Sequence, residues 1–447
     1  MTPPRILRGR LLSFSRRPQS ISDAESYVYE DDGGLLSSEG RILAFGPFET
    51  VLLDAPEGAE IIDHRPKLIL PGLIDTHLHF PQMQVVGSYA ANLLEWLNTY
   101  TFVEEQRFSD PAHGARIAVS FFDEMIRQGT TTAVAYCSVH KASADAYFAE
   151  ASKRNMLMLG GKVLMDCNAP EALTDTPQSA YDDTRAVIAD WHGKARNHVV
   201  ISPRFALTSS HEQMEVTGAL AREFPDLHIQ THLSENTAEI ERALELYPEA
   251  QDYTDIYARY DLLGAKTLLG HAIHLSERER DLLHETGAVA VHCPTSNLFL
   301  GSGLFPFRDY ETRDKPVRIA VATDIGGGTS YSMLKTMDEA YKIQQLRGAR
   351  LNPLESFYAM TRGNAEALTL TGRIGTLDPG SDADIVVLDA RATPAMALKM
   401  EAVTTLAEEL FLLQTMGDDR AIAETYVAGN PAKSALQAPL PMAGWQK

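Results

Sequence analysis

Five residues of this chain could together hold a metal ion and support a hydrolysis: His77, His79, His232, His271 and Asp324. The segment Asp75-Thr76-His77-Leu78-His79 closes an apolar run. Residues two apart on a strand project to the same side, so His77 and His79 face one way together. Two imidazoles on one rigid strand end supply half of a Zn²⁺ or Fe²⁺ site. An H-x-H pair is weak on its own, because paired histidines also serve as ordinary polar residues. Its companions strengthen it: His232, His271 and Asp324 each stand at the end of a separate apolar run. Glu235 follows His232 by three residues. A bland reading makes it a carboxylate in the first turn of a helix. The functional reading is favoured, because metal-assisted hydrolysis needs a free carboxylate beside the activated water as general acid and base.

Such residues must be positioned by the elements that carry them. Eight apolar runs recur along the chain, at 68–75, 130–136, 156–166, 198–207, 227–235, 267–276, 288–297 and 318–327. Helix-compatible sequence fills the gaps, as in AHGARIAVSFFDEMIRQG and NTAEIERALELY. Near-continuous apolar strands alternating with helices predict a parallel sheet covered on both faces. Eight such units predict an α/β fold of the (β/α)8 TIM barrel type, whose chemistry sits at the C-terminal strand ends. Both ends of the chain have another texture, with short strand-like runs broken by Gly, Pro and acidic turns. Neither end is long enough for a stable core alone. The expected division is residues 1–67 and 374–447 as two parts of a small β-sandwich, and 68–373 as the barrel.

Several other residues read as structural. His228 lies four residues deeper on its run than His232, so it belongs to the core or to a supporting layer. His292 and Cys293 resemble a metal pair, but adjacent strand residues face opposite ways and cannot both reach one ion. Gly326-Gly327-Gly328 is followed by no Lys-Ser/Thr, so a tight turn after Asp324 is expected rather than a phosphate loop. Lys162 lies inside its run and reads as structural. No P-C-x-x-C pair, which would offer two cysteine ligands to zinc, occurs in the sequence.

Sixty acidic residues against forty basic ones give a formal charge of -20. Such a surface repels phosphate backbones and anionic bilayers, which argues against nucleic acid and membrane partners. The first twenty residues carry five arginines but no apolar core of the length a signal peptide needs. No run approaches the ~18 uninterrupted apolar residues of a transmembrane helix. Three scattered cysteines make no disulfide framework and fit a reducing, cytoplasmic setting.

The motifs PGLIDTHLHFPQ, QTHLSE, GHAIH, HCPTSN and ATDIGGG, with the closing GTLDPGSDADIVVLD, resemble the amidohydrolase superfamily over nearly the whole chain. LLEWLNTYTFVEEQRF, SPRFALTSS and Gln82 are similar to its guanine-deaminating members. That resemblance implies one divalent metal held by His77, His79, His232 and Asp324, most simply Zn²⁺, with Fe²⁺ chemically compatible. It implies His271 as the residue orienting the attacking water and Glu235 as the proton shuttle. It matches Gln82, Arg204 and Phe205 to positions that grip a purine. The binuclear branch usually needs a carboxylated lysine at the end of the fourth strand, where this chain has Arg204, and that argues for one metal. A guanidinium can only donate, so Arg204 suits the O6 carbonyl of guanine and disfavours adenine; its bland alternative is a surface ion pair. Trp96 reads equally as part of a lid over the ring or as a core tryptophan. The implied reaction is guanine and water to xanthine and ammonia, a step of purine catabolism, in a homodimer. Two rivals stand beside it: a deaminase of 8-oxoguanine, a pterin or an s-triazine on the same scaffold, and a metal-free binding protein.

Overall fold

The computed structural model describes residues 4–89 and 93–436; positions 437–447 of the expected C-terminal segment lie outside the described residues. Four strands come first: β1 (Arg5–Phe14), β2 (Tyr27–Ser38), β3 (Arg41–Pro47) and β4 (Glu60–Pro71). The central set follows as β5 (Leu73–His79), β6 (Thr130–Tyr136), β7 (Leu157–Gly161), the two-residue β8 (Val163–Leu164), β9 (Asn197–Pro203), β10 (His228–Leu233), β11 (Thr267–His271), β12 (Val289–His292) and β13 (Arg318–Val321). Near the C-terminus lie β14 (Ile385–Leu388), β15 (Ile422–Val427) and β16 (Asn430–Pro431).

The central strands pair in parallel in the order β13-β12-β11-β10-β9-β7-β6-β5, with β8 alongside β9. Eight strands on this path match the eight apolar runs, and helices cover them as the alternation predicts. The helix Pro111–Arg127 shows how. Asp110 caps it by accepting from Ala112 N at 2.9 Å, and Ile117, Phe121, Phe122 and Met125 form its buried stripe.

No regular ladder joins β5 to β13 among the described residues; side-chain bonds and two main-chain bonds just past the end of β13 close the barrel there. Asn364, fully buried, donates to the carbonyls of Ile74 (2.7 Å) and Val321 (2.8 Å) and accepts from Val321 N (2.9 Å). Asp75 accepts from Thr323 N at 3.1 Å and from the Thr323 hydroxyl. Asp324 N donates to the His77 carbonyl at 2.9 Å, which fixes a candidate ligand from the last strand against one from the first.

The run expected as a single strand over 68–75 is two. Leu68–Pro71 completes β4 and pairs with β14, while Leu73 opens the barrel. An unbroken apolar run carries no periodic signal of where one strand stops. The turn falls at Gly72, whose N–H goes to the Asp384 carbonyl at 2.8 Å, while that of Leu73 goes to Gly129 at 3.0 Å.

The chain ends do meet in a separate β layer, a seven-stranded sheet in the order β16-β15-β14-β4-β1-β2-β3. It curls until β3 returns to the segment ahead of β14: Ile42 N donates to the Ser381 carbonyl and Gly380 N to that of Ile42. Leu35 and Ile42 from one end of the sheet thereby share a core with Ile385, Val387 and Tyr426 from the other. No described helix is long and apolar enough to cross a membrane.

Candidate active site

The C-terminal strand ends bring the predicted residues together. His77 Nε2 and His79 Nε2 lie 3.5 and 3.4 Å from the same oxygen of Asp324, Oδ1. His232 Nε2 is 3.1 Å from His79 Nε2. His271 Nε2 faces the other Asp324 oxygen at 3.7 Å and Glu235 Oε2 at 3.4 Å. The local backbone is bent to achieve this. Ser234, His271 and Asp324 have φ of 49°, 68° and 53°, a left-handed conformation that non-glycine residues adopt at a cost of order 1–3 kcal/mol. At Gly270 a Cβ would stand 2.4 Å from His77 Cε1, so only glycine leaves room for that ring. The glycine run after Asp324 makes the expected turn, with Gly328 N donating to the Asp324 carbonyl at 2.5 Å.

Second contacts orient His232 and His271 by hydrogen bonds and His79 by stacking. His232 Nδ1 donates to the Arg204 carbonyl at 2.7 Å, and His271 Nδ1 to Asn297 Oδ1 at 2.9 Å, which leaves each Nε2 toward the site. Ser302 Oγ donates to Glu235 Oε1 at 2.8 Å. Tyr136, paired with His79 across the β5–β6 ladder, stacks on its ring at 4.7 Å between centroids.

Burial disfavours the charged form of His77, His79 and His232 and pushes all three imidazoles down, to the neutral state a metal ligand requires. Burial pushes Asp324 up, but the close approach of the His77 ring and the charge of His271 outweigh it and leave the carboxyl at about 2. Burial is also the main cause raising Glu235, with Asp324 adding to it against His271 and Ser302. For His271 burial opposes the charge, yet the facing carboxylates of Glu235 and Asp324 prevail and its affinity for a proton rises.

Both ring nitrogens of His77 and Nδ1 of His79 are buried and find no hydrogen-bond partner among the described residues. Ligand atoms of His77, His79 and His232 lie within 4.8 Å of one another, as do those of His77, His271, Cys293 and Asp324. Three neutral imidazoles around an ionised carboxylate suit a divalent ion of the zinc or iron kind. Cys293, expected as a bystander, therefore borders the cluster, while its neighbour His292 points elsewhere and stacks on Phe305 at 4.4 Å. His228 is outside the site, with Nε2 donating to the Leu368 carbonyl at 3.0 Å, and Lys162 is buried against Asp175 at 2.5 Å.

A cavity opens over the cluster, lined by His79, Gln82, Trp96, Leu97, Arg204, Phe205, His232, Glu235, His271 and Asp324 among others. Its wall combines aromatic and apolar side chains with a few convergent polar groups, the make-up of a small-molecule site. Trp96, 3% exposed, is thus both a buried residue and part of the cavity wall. Arg204 is no surface residue: its Nη1 donates to Glu105 Oε2 at 2.7 Å, and Gln82 Nε2 donates to Glu105 Oε1 at 2.7 Å. The sequence reading missed Glu105, Asn297, Ser302 and Tyr136. Tyr136 ends a strand of the barrel, the one signal that singles it out.

The amidohydrolase family model matches residues 68–432. The chain belongs to that family. It is 42% identical over 428 residues to the guanine deaminase of Escherichia coli (strain K12), covering 95% of this chain and 97% of that one. The solved structure "E. coli Guanine Deaminase" superposes with a TM-score of 0.92 at 41% identity, over 96% of this chain and 99% of the other. A guanine deaminase from C. acetobutylicum, solved with guanine bound in its active site, gives a TM-score of 0.85 at 29% identity over 96% and 99%. Family membership puts the histidine and aspartate cluster at the face where amidohydrolase barrels work.

Proposed function

We propose that the chain is a hydrolytic guanine deaminase, converting guanine and water to xanthine and ammonia. The observation that carries this is one cavity holding both chemistries: the His77, His79, His232 and Asp324 cluster with Glu235 beside it, and the Arg204–Gln82 pair facing them. The similarity to guanine deaminases over nearly the whole chain supports the choice of substrate.

His77, His79, His232 and Asp324 would hold one divalent ion, zinc on this reading. Bound there, it would supply the Lewis acidity that makes water nucleophilic near neutral pH. Arg204 donates to O6 of guanine, and Gln82 reads the neighbouring ring edge. Phe205, Trp96 and Leu97 cover the ring and exclude bulk water. Glu235, raised by burial, protonates the ring nitrogen next to C2 and weakens the aromatic stabilisation that opposes attack. As water adds to C2, Asp324 and His271 take up its proton. That proton returns through His271 to Glu235, which passes it to the exocyclic amine; the C2–N bond breaks as the new hydroxyl gives its proton to Asp324, and ammonia leaves. Ser302 and Asn297 hold Glu235 and His271 in place for these transfers. All three cysteines are unpaired, which supports a reducing compartment.

The test is ammonia release by purified, metal-quantified protein given guanine, 8-oxoguanine, a pterin or an s-triazine. Guanine is expected to be the best substrate, and faster turnover of any of the others overturns the assignment.

A further inference from the structure

Glu105 lies on the short helix Phe102–Gln106, is 1% exposed, and accepts one hydrogen bond on each carboxylate oxygen, from Gln82 and from Arg204. Ser138 Oγ donates to its main-chain carbonyl at 3.1 Å and ties this helix to the end of β6. An ionised carboxylate only accepts. It therefore dictates how the Gln82 amide sits: the NH₂ must face Glu105, and Oε1 must face away. That oxygen is buried beside Gly326, has no partner among the described residues, and belongs to a residue of the cavity wall. Glu105 takes only one of the Arg204 N–H groups, and Arg204 belongs to the same cavity wall.

We infer that Glu105 is a positioning residue that fixes the order of donor and acceptor in the cavity and so selects a lactam edge over an amidine edge. Arg204 presents N–H for a ring carbonyl, and Gln82 presents C=O for the adjacent ring N–H. Guanine has that pattern at C6 and N1, so the inference rests on the reading proposed above. An amino group beside a bare ring nitrogen, as in adenine, has the opposite pattern and leaves both protein groups unpaired. Without the carboxylate, the amide can turn either way and the guanidinium loses its anchor. The site then reads both edges alike.

Hypoxanthine and adenine differ only at this edge, and neither carries the C2 amine. Direct calorimetric binding of each to the metal-loaded full chain therefore isolates the effect. The native protein is expected to prefer hypoxanthine. Glu105→Gln, isosteric and uncharged, should shrink that preference by about tenfold or more, the equivalent of one lost hydrogen bond to a charged group. It should raise KM for guanine more than it lowers kcat, and leave metal content unchanged. In a Gln82→Met background, with no amide to orient, the same change should have a smaller effect on the ratio. Glu105→Asp keeps the charge one methylene short and should give a weaker shift, which serves if the glutamine variant does not fold. An unchanged ratio, or equal effects in both backgrounds, overturns the inference. Failure of the native protein to deaminate guanine sinks the functional reading instead, because the binding ratio is measured without turnover.

Discussion

The main-chain carbonyl of Arg204 lies 2.7 Å from Nδ1 of His232, so a single residue serves both halves of the site. Its backbone orients a metal-ligand candidate, and its side chain lines the cavity. Arg204→Met removes the donor and keeps the carbonyl. KM for guanine should rise by one to two orders of magnitude, about 1.5–3 kcal/mol for a hydrogen bond to a charged group. Metal content should be unchanged. Kinetics indistinguishable from the native protein would assign Arg204 to structure alone.

Glu235 touches Ser302 and His271 but lies outside both groups of mutually close ligand atoms. Glu235→Gln should therefore retain the metal and lose turnover by ~10³-fold, the size of a lost general acid and base. Metal analysis and kcat on the same preparation check it. Persistent turnover would remove Glu235 from the proton relay.

Buried imidazoles without partners are costly unless an ion satisfies them. Stripping metal with a chelator should lower Tm, and added zinc should restore it. A ligand present at ~1,000 times its Kd stabilises the fold by about 4 kcal/mol. A melting curve indifferent to chelation and to zinc would separate the cluster from metal binding.

Asn364 satisfies three backbone groups at the barrel seam. Asn364→Leu keeps the branched shape with added bulk and strands the Ile74 carbonyl and the Val321 N–H, while the Val321 carbonyl still accepts from the Thr76 hydroxyl at 3.0 Å. A destabilisation of about 3 kcal/mol or more is expected from the unsatisfied polar groups. Denaturant unfolding measures it, and a loss below ~1 kcal/mol would show that the seam does not depend on this side chain.

His228 should make the fold acid-sensitive. Burial lowers it from the ordinary 6.5 to about 4, more than its bond to Leu368 raises it. The unfolded chain therefore binds the proton more readily than the fold does. Stability is complete above pH 6.5 and falls as pH drops toward 4, by up to about 3 kcal/mol. His228→Gln should flatten that part of the Tm-against-pH curve, and NMR titration of the native imidazole should report the depressed value. A histidine titrating near 6.5 contradicts this.

Much of the site was legible because strand parity and strand ends are local features. His77 and His79 sit two apart, and His232, His271 and Asp324 each close an apolar run, so sequence alone pointed them at one face. The eight runs likewise announced the barrel. What escaped was set by distant geometry. Glu105 lies on a short helix away from any strand end, and its meaning depends on Arg204 across the chain. Asn297 and Ser302 act through His271 and Glu235, contacts that no spacing rule encodes. Cys293 was set aside on parity with His292, yet the same parity sends it toward the cluster. The division at Gly72 was hidden because apolar residues flank it on both sides.

Asn364 reaches the seam from a helix that follows every candidate ligand in the sequence. A polypeptide stopped just beyond Asp324 would own every candidate metal ligand and the bonds from Asp75 to Thr323 and from Asp324 to His77, but lack the side chain that ties Ile74 to Val321. During synthesis the seam is therefore completed only when a stretch remote from the chemistry emerges and adds its share of the fastening.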